Sequence, residues 1–191
     1  MFTFDPDKHE YRLDGKLLDN VTSVIREAGF MPSYTPADLE WYLERGRAIH
    51  KATELYDKGE LDESTVDPRI FGYLKSWKTL NFKYHPQHIE MPLCDPIYGY
   101  AGTIDRLPLL DIKSGQPEKW HRIQLGAYYG LCRANLTVKE FPPAAAGMCV
   151  YLQEDGSAPK VITHKYTDLH DALKIFHAAL IVIRAKREMN L

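Results

Sequence analysis

Cysteine is scarce in this chain of 191 residues. Cys94, Cys132 and Cys149 are scattered without C-x-x-C spacing, which excludes a zinc finger or a disulfide framework and fits a reducing, intracellular setting. No apolar run approaches the ~20 residues of a membrane span. The opening MFTFDPDKHEYRLDG is acidic and β-like where a secretory signal would be basic and then apolar. A cytoplasmic protein without membrane contact is expected. There is no basic excess either: 24 Lys plus Arg stand against 26 Asp plus Glu, a formal net charge of −2, so any DNA contact must be local rather than a bulk coat. No GxxxxGK[ST] loop is present, which argues against a nucleotide-phosphate enzyme. Repeats and low-complexity linkers are also missing.

What is present is ordinary globular composition, 45% hydrophobic and 26% charged, sized for one domain over 1–191 with 1–34 as an N-terminal appendage. The first 95 residues carry 12 basic and 17 acidic side chains and the rest 12 and 9, which makes the second half the anion-facing one. Alternating residues around Asp14-Gly15 predict a β-hairpin over 1–18. Thr22 or a neighbour is expected to cap a short helix ending at Gly29, and Thr35-Pro36 to open a longer one closing near Gly59, with a bend at Gly46. Asp67-Pro68 starts another helix, with Ile70, Phe71, Leu74 and Trp77 on its apolar side. Short β-rich runs follow from about 87 to 113, then a helix from about 117 to 133, two strands (AGMCVYL and KVITHKY), and a last helix from about 168 to 189. The pattern predicts an α/β or α+β sheet flanked by helices.

The most informative segment is GTIDRLPLLDIKSG, 102–115. Side chains alternate faces along a strand, so Asp111 and Lys113 share one face while Leu110 and Ile112 take the apolar other. A reversal over Leu107-Pro108-Leu109 sets Asp105 opposite Asp111, about 5 Å apart at Cβ. Two carboxylates so placed resist joint ionisation unless a hard divalent cation, Mg²⁺ or Mn²⁺, sits between them. Lys113 beside that cation would hold a phosphate or an attacking water, a phosphodiesterase arrangement. Read alone, D-x-K also fits a charged edge strand that discourages aggregation.

Further signals flank it. In RGRAIHKATELYDKG, Gly46, His50 and Glu54 recur every four residues on one helix face: His50 to reach the metal, Glu54 to orient its imidazole, Gly46 to admit another backbone. Gln124 and Tyr128 form a second i, i+4 pair, and Glu90 on the preceding strand is a candidate outer carboxylate. Arg45, Arg47, Lys51, Lys119, Arg122 and Arg133 are candidate phosphate contacts, with Trp120 as a base-stacking candidate.

Taken together, GRAIH at 46–50, GTID at 102–105, DIK at 111–113 and QLGAY at 124–128 resemble the PD-(D/E)xK nuclease superfamily. The likeness is to its RecB-like exonuclease branch, of phage, recombination or mitochondrial-genome-maintenance type. The resemblance implies a restriction-endonuclease-like mixed sheet and Mg²⁺-dependent hydrolysis of DNA. It also implies a metal held by Asp105, Asp111, the Ile112 carbonyl and His50, with Lys113 as catalytic lysine and Gln124 and Tyr128 as the Q-x-x-x-Y element. Three dispersed cysteines do not repeat the four-cysteine pattern of some members, so no iron–sulfur cluster is expected. DNA is the expected partner, with a single-strand-annealing or single-strand-binding protein and a homo-oligomer as further ones, in a bacterial or phage-infected cell. The competing readings are a structure-specific endonuclease of the same superfamily and a non-catalytic nucleic-acid-binding module on the same scaffold. A sugar hydrolase using Asp105 and Asp111 as acid and base is disfavoured, because Lys113 would keep both ionised.

Overall fold

The computed structural model describes residues 1–33, 35–80 and 86–190, with the backbone alone for 36–39. The chain opens with β1 (Phe2–Asp5), β2 (Glu10–Leu13) and β3 (Lys16–Leu17). Asp14 and Gly15 adopt φ of 49° and 79° and reverse the chain between β2 and β3, as the dipeptide predicts. Because β1 also pairs with β2, the opening is a three-stranded meander rather than a two-stranded hairpin. β4 (Asp19–Asn20) leads into α1 (Val21–Glu27), whose cap is Asn20, a neighbour of Thr22, accepting the N–H groups of Thr22 and Ser23. The 1–34 segment is not peripheral where it is described. Val21, Val24 and Ile25 are buried in the main core, and Tyr11 packs against Cys94 and Ala101.

α2 (Pro36–Lys58) runs unbroken through Gly46, where a bend is expected from the sequence. The Asp67 carboxylate accepts the Arg69 N–H and opens a single 3-10 turn that passes into α3 (Phe71–Lys78). On its apolar side Ile70, Leu74 and Trp77 are buried as expected, but Phe71 faces solvent and Tyr73 takes the inner position. The remaining elements are β5 (His88–Asp95), β6 (Tyr100–Leu107), β7 (Leu110–Lys113), α4 (Lys119–Asn135), β8 (Gly147–Tyr151), β9 (Lys160–His164) and α5 (Tyr166–Glu188). All three cysteines are free and buried. No helix among the described residues is long and apolar enough to cross a membrane.

The main sheet is mixed. β5 pairs antiparallel with β6 over most of its length. The opposite edge of β6 carries two short partners, β4 in parallel at Tyr100 and Ala101 and β7 antiparallel at Arg106, so residues 102–105 have no ladder partner on that edge. β7 continues in parallel to β8, and β8 antiparallel to β9. Helices cover both faces. α1, α4 and α5 bury one core with Ile104, Cys149 and Tyr151, while α2 and α3 bury a second with Leu110, Ile112 and Val150. α4 and α5 touch through Gly126, where a Cβ would lie 2.7 Å from the Ala172 Cβ and 2.8 Å from the Leu173 N, so only glycine fits that crossing.

Candidate functional site

Arg106 pairs with Leu110, a register that sets Asp105 across from Asp111 as the short loop predicts. Alternation also holds along β7: Leu110 and Ile112 face α2 and α3, while Asp111 and Lys113 share the side of Cys149 and Tyr151. The Asp105 carboxylate differs from the expected stack on Asp111. It lies at the unpaired edge of β6, where one oxygen accepts the Ile112 N–H at 2.5 Å. The other is 3.5 Å from His50 Nδ1. A side chain thus satisfies a backbone donor at the place where the β6–β7 ladder fails.

The donor atoms gathered within 4.8 Å of one another, among the described residues, are those of His50, Glu90 and Asp105; Asp111 is not in that group. Glu90 is therefore closer to the centre than an outer acidic position would be. It faces Asp105 in the β5–β6 register, between the pairs Ile89↔Arg106 and Met91↔Ile104, and has φ 48°. A left-handed glutamate costs on the order of 1 kcal/mol, which must be offset by what its side chain gains. That gain is visible: its carboxylate lies 3.5 Å from His50 Nδ1 and accepts Arg106 Nη1 at 3.1 Å.

Arg106 is 1% exposed, so its charge is met by the groups packed around it. It donates to Asp57 (2.7 Å), Glu90 (3.1 Å), Thr53 (3.3 Å) and the Asp105 carbonyl (2.6 Å), and lies over the Trp77 ring. Trp77 in turn donates to Asp57. His50, Thr53 and Asp57 recur at i, i+3 and i+7, one face of α2. Sequence reasoning missed Arg106, Thr53 and Asp57, although that row was readable as a polar stripe able to hold one buried cation.

Charges in the cluster perturb one another. Burial raises the Asp105 pKa, with the carboxylates of Asp111 and Glu90 adding to it, while His50 and the Ile112 N–H oppose. Burial works against a charged His50, but Asp105 and Glu90 outweigh it and lift the imidazole to about 9. Without a cation, the group holds protons that a bare carboxylate and imidazole would have lost at neutral pH.

Lys113 completes the arrangement. Its ammonium donates to Gln124 Oε1 at 2.6 Å, lies 2.8 Å from Asp111 Oδ2 and sits over Trp120 at 5.3 Å. Gln124 Nε2 donates to the Tyr128 hydroxyl (2.9 Å) and to Thr22 (3.4 Å), which fixes the amide with its oxygen toward Lys113. Tyr128 is buried and lies under Gly102, where a Cβ would come 2.9 Å from its ring; the hydroxyl serves Gln124 rather than a surface. Asp111 is 2% exposed, and its Oδ2 has an ionic neighbour but no hydrogen-bond donor in line. Trp120 is half-buried against the core and edge-on to His121. His121 Nδ1 meets the Glu118 N–H and the Tyr151 hydroxyl, and burial beside Lys113 depresses its pKa to about 3, so it stays neutral.

The other candidates fall outside this cluster. Glu54 does not orient His50: its oxygens take Lys51 (3.0 Å) and Lys58 (2.6 Å), which also occupies Lys51. Gly46 admits no second backbone, since a Cβ there would meet nothing within 4 Å. Arg45 lies between the Tyr42 and Tyr73 rings. Arg47, Lys119, Arg122 and Arg133 are exposed. Tyr11, also missed by sequence reasoning, reaches the edge of the site from the meander and shares a 2.8 Å hydrogen bond with Thr103, two residues before Asp105.

The cluster offers one imidazole nitrogen and carboxylate oxygens, a donor set suited to a hard divalent cation, with a lysine ammonium close by. Neither a family model nor a curated protein sequence matches the chain.

Proposed function

We propose that the chain is a Mg²⁺-dependent deoxyribonuclease of PD-(D/E)xK type that hydrolyses phosphodiester bonds as an exonuclease. The observation that carries this reading is the meeting of His50, Glu90 and Asp105 at the open edge of β6, next to an ammonium held by Asp111 and Gln124. The residues suit the ion. Asp111 Oδ2 is a buried carboxylate oxygen without a donor, and Asp105 and His50 carry protons that a cation would displace. Mg²⁺, with Mn²⁺ as substitute, would be held by Asp105, Asp111, His50 and the Ile112 carbonyl, with Glu90 joining them. When bound it supplies neutralisation of phosphate charge and a water acidified toward hydroxide.

The chain's own groups then have separate tasks. Gln124 accepts one proton of the Lys113 ammonium and Asp111 pairs with its charge, which leaves the other donors for a phosphate oxygen or the attacking water. Tyr128 and Thr22 hold the Gln124 amide so that it cannot flip and present a donor to Lys113. Arg106 donates to Glu90 and holds it turned toward His50. Neutral His121 adds no competing charge beside Lys113. In-line attack on this framework leaves a 5′-phosphate and a 3′-hydroxyl. The test is digestion of end-labelled linear and closed circular DNA, single- and double-stranded, with and without Mg²⁺. Metal-dependent loss of label from linear DNA is expected with circles spared; inertness toward every substrate in Mg²⁺ and Mn²⁺ overturns the reading.

A further inference from the structure

Glycine in a helix interior is costly, because it gives up backbone entropy and buries no side chain. A packing need or a left-handed turn usually explains it. Gly46 has neither: it lies in the middle of the 23-residue α2, its φ is not positive, and a Cβ would meet no heavy atom within 4 Å. It is half-buried, and the space that a side chain would take there is open among the described residues. That open space lies one turn before His50 on the helix face that continues through Thr53 and Asp57 to Arg106. No described residue fills that space.

The N-terminal meander approaches the same region. Tyr11 is tied to Thr103 beside Asp105, and its hydroxyl also lies 3.3 Å from His9 Nε2. His9 is exposed yet held: its ring is edge-on to Phe4 and to Tyr11, at 5.6 Å and 5.4 Å between centroids. Burial lowers the His9 pKa, the Arg47 guanidinium of α2 lowers it further and Glu90 opposes, so the tip of the meander lies within electrostatic reach of both.

We propose that Gly46 keeps open the lane by which a polynucleotide strand reaches His50, Glu90 and Asp105, with Arg47 of α2 and His9 of the meander contacting the phosphates that flank the one at the site. The inference rests on the nuclease reading above and adds the path and contacts of the substrate strand. A sugar-phosphate backbone needs close approach to the helix, which a bare glycine allows and any larger side chain obstructs. Arg47 supplies a fixed charge and His9 a ring nitrogen donor, and both side chains are exposed.

The experiment compares wild type with Gly46→Ala, Gly46→Leu, Arg47→Ala and His9→Ala. The readouts are Mn²⁺ affinity by calorimetry, anisotropy of a labelled oligothymidylate without turnover, and cleavage of a 20-nucleotide strand against bis(p-nitrophenyl) phosphate. Both Gly46 variants are expected to melt no lower than wild type, since the new side chain meets empty space. Gly46→Leu should bind the strand at least tenfold more weakly at wild-type Mn²⁺ affinity, through KM rather than kcat, and lose far more on the strand than on the small diester. Arg47→Ala should flatten the dependence of log K on log salt by about 0.7, one phosphate contact on a single strand. Equal losses on the two substrates, strand affinity unchanged in Gly46→Leu, or an unchanged salt slope in Arg47→Ala overturns the lane. An inert wild type would overturn the nuclease reading and the lane with it, whereas an active wild type with an indifferent Gly46→Leu overturns the lane alone.

Discussion

Replacing Arg106 by methionine removes a guanidinium that is 1% exposed and leaves four acceptors without their donor: Asp57, Glu90, Thr53 and the Asp105 carbonyl. Glu90 is half-buried and water can reach it, but Asp57 is 10% exposed and keeps, among the described residues, only the Trp77 N–H. Breaking one side of a buried ion pair costs about 3–5 kcal/mol, chiefly because the surviving charge is stranded. For a chain of this size that is a fall in Tm of roughly 6–20 °C. Arg106→Met in an Asp57→Asn background strands no charge and keeps the acceptor for Trp77, so more than half of the lost stability should return.

Metal affinity should behave differently. In the double variant Glu90 still lacks the guanidinium that turns it toward His50, so Mn²⁺ affinity stays down by about 10–100-fold, the usual effect of losing a residue that orients a ligand. Urea denaturation and Mn²⁺ titration on wild type, both single variants and the double variant give the full cycle. A loss below about 1 kcal/mol for Arg106→Met, or strict additivity with Asp57→Asn, refutes the buried pair. Recovery of Mn²⁺ affinity together with stability refutes the orienting role of Arg106.

Lys113→Met and Asp111→Asn should each lower Mg²⁺-dependent DNA cleavage by at least about 10²-fold with the fold kept, checked by initial rates beside circular dichroism; full activity in either refutes the site. Gly126→Ala forces a methyl into the backbone of α5 and should cost about 1–3 kcal/mol in urea denaturation, because the Ala172 and Leu173 backbone atoms it meets cannot swing aside. In metal-free protein His50 keeps its proton up to about pH 9, while the unfolded chain releases it near 6.5. The native state therefore binds the extra proton across that window, and stability falls as pH rises through it. His50→Ala should remove that fall, and a metal-free urea midpoint that rises between pH 6.5 and 9 only when His50 is present contradicts the assignment.

The sequence made the β6–β7 register legible because Pro108 forces a short reversal and a period of two fixes which side chains can meet. It made His50 legible for the same kind of reason, but a spacing of four follows a helix row only briefly. At 3.6 residues per turn the row through His50 drifts to Thr53 and Asp57, and Glu54 swings outward to Lys51 and Lys58. Arg106 was hidden because its meaning lies in Asp57, 49 residues away. Glu90 was underrated because nothing local in HIEMPL announces a left-handed residue inside a strand. Phe71 and Tyr73 exchanged places because a 3-10 turn precedes α3 and rotates its apolar stripe away from an ideal helix.

One interrupted ladder explains how these groups come together at all. In a continuous sheet, α2 on one face and α4 on the other could not share a partner on β6, since alternate side chains belong to one face or the other. The edge of β6 is free between its short pairings with β4 and β7, so the Asp105 side chain can occupy the strand gap itself, bonded to the Ile112 N–H. From there it is reached by His50 from the α2 side and senses Asp111, which is held with Lys113 on the α4 side. The unpaired main-chain groups at that edge are the cost, met partly by the Asp105 carboxylate. Restoring a full ladder would return Asp105 to a single face and separate His50 and Glu90 from Lys113, so the gap in the sheet is the structural condition on which the proposed chemistry depends.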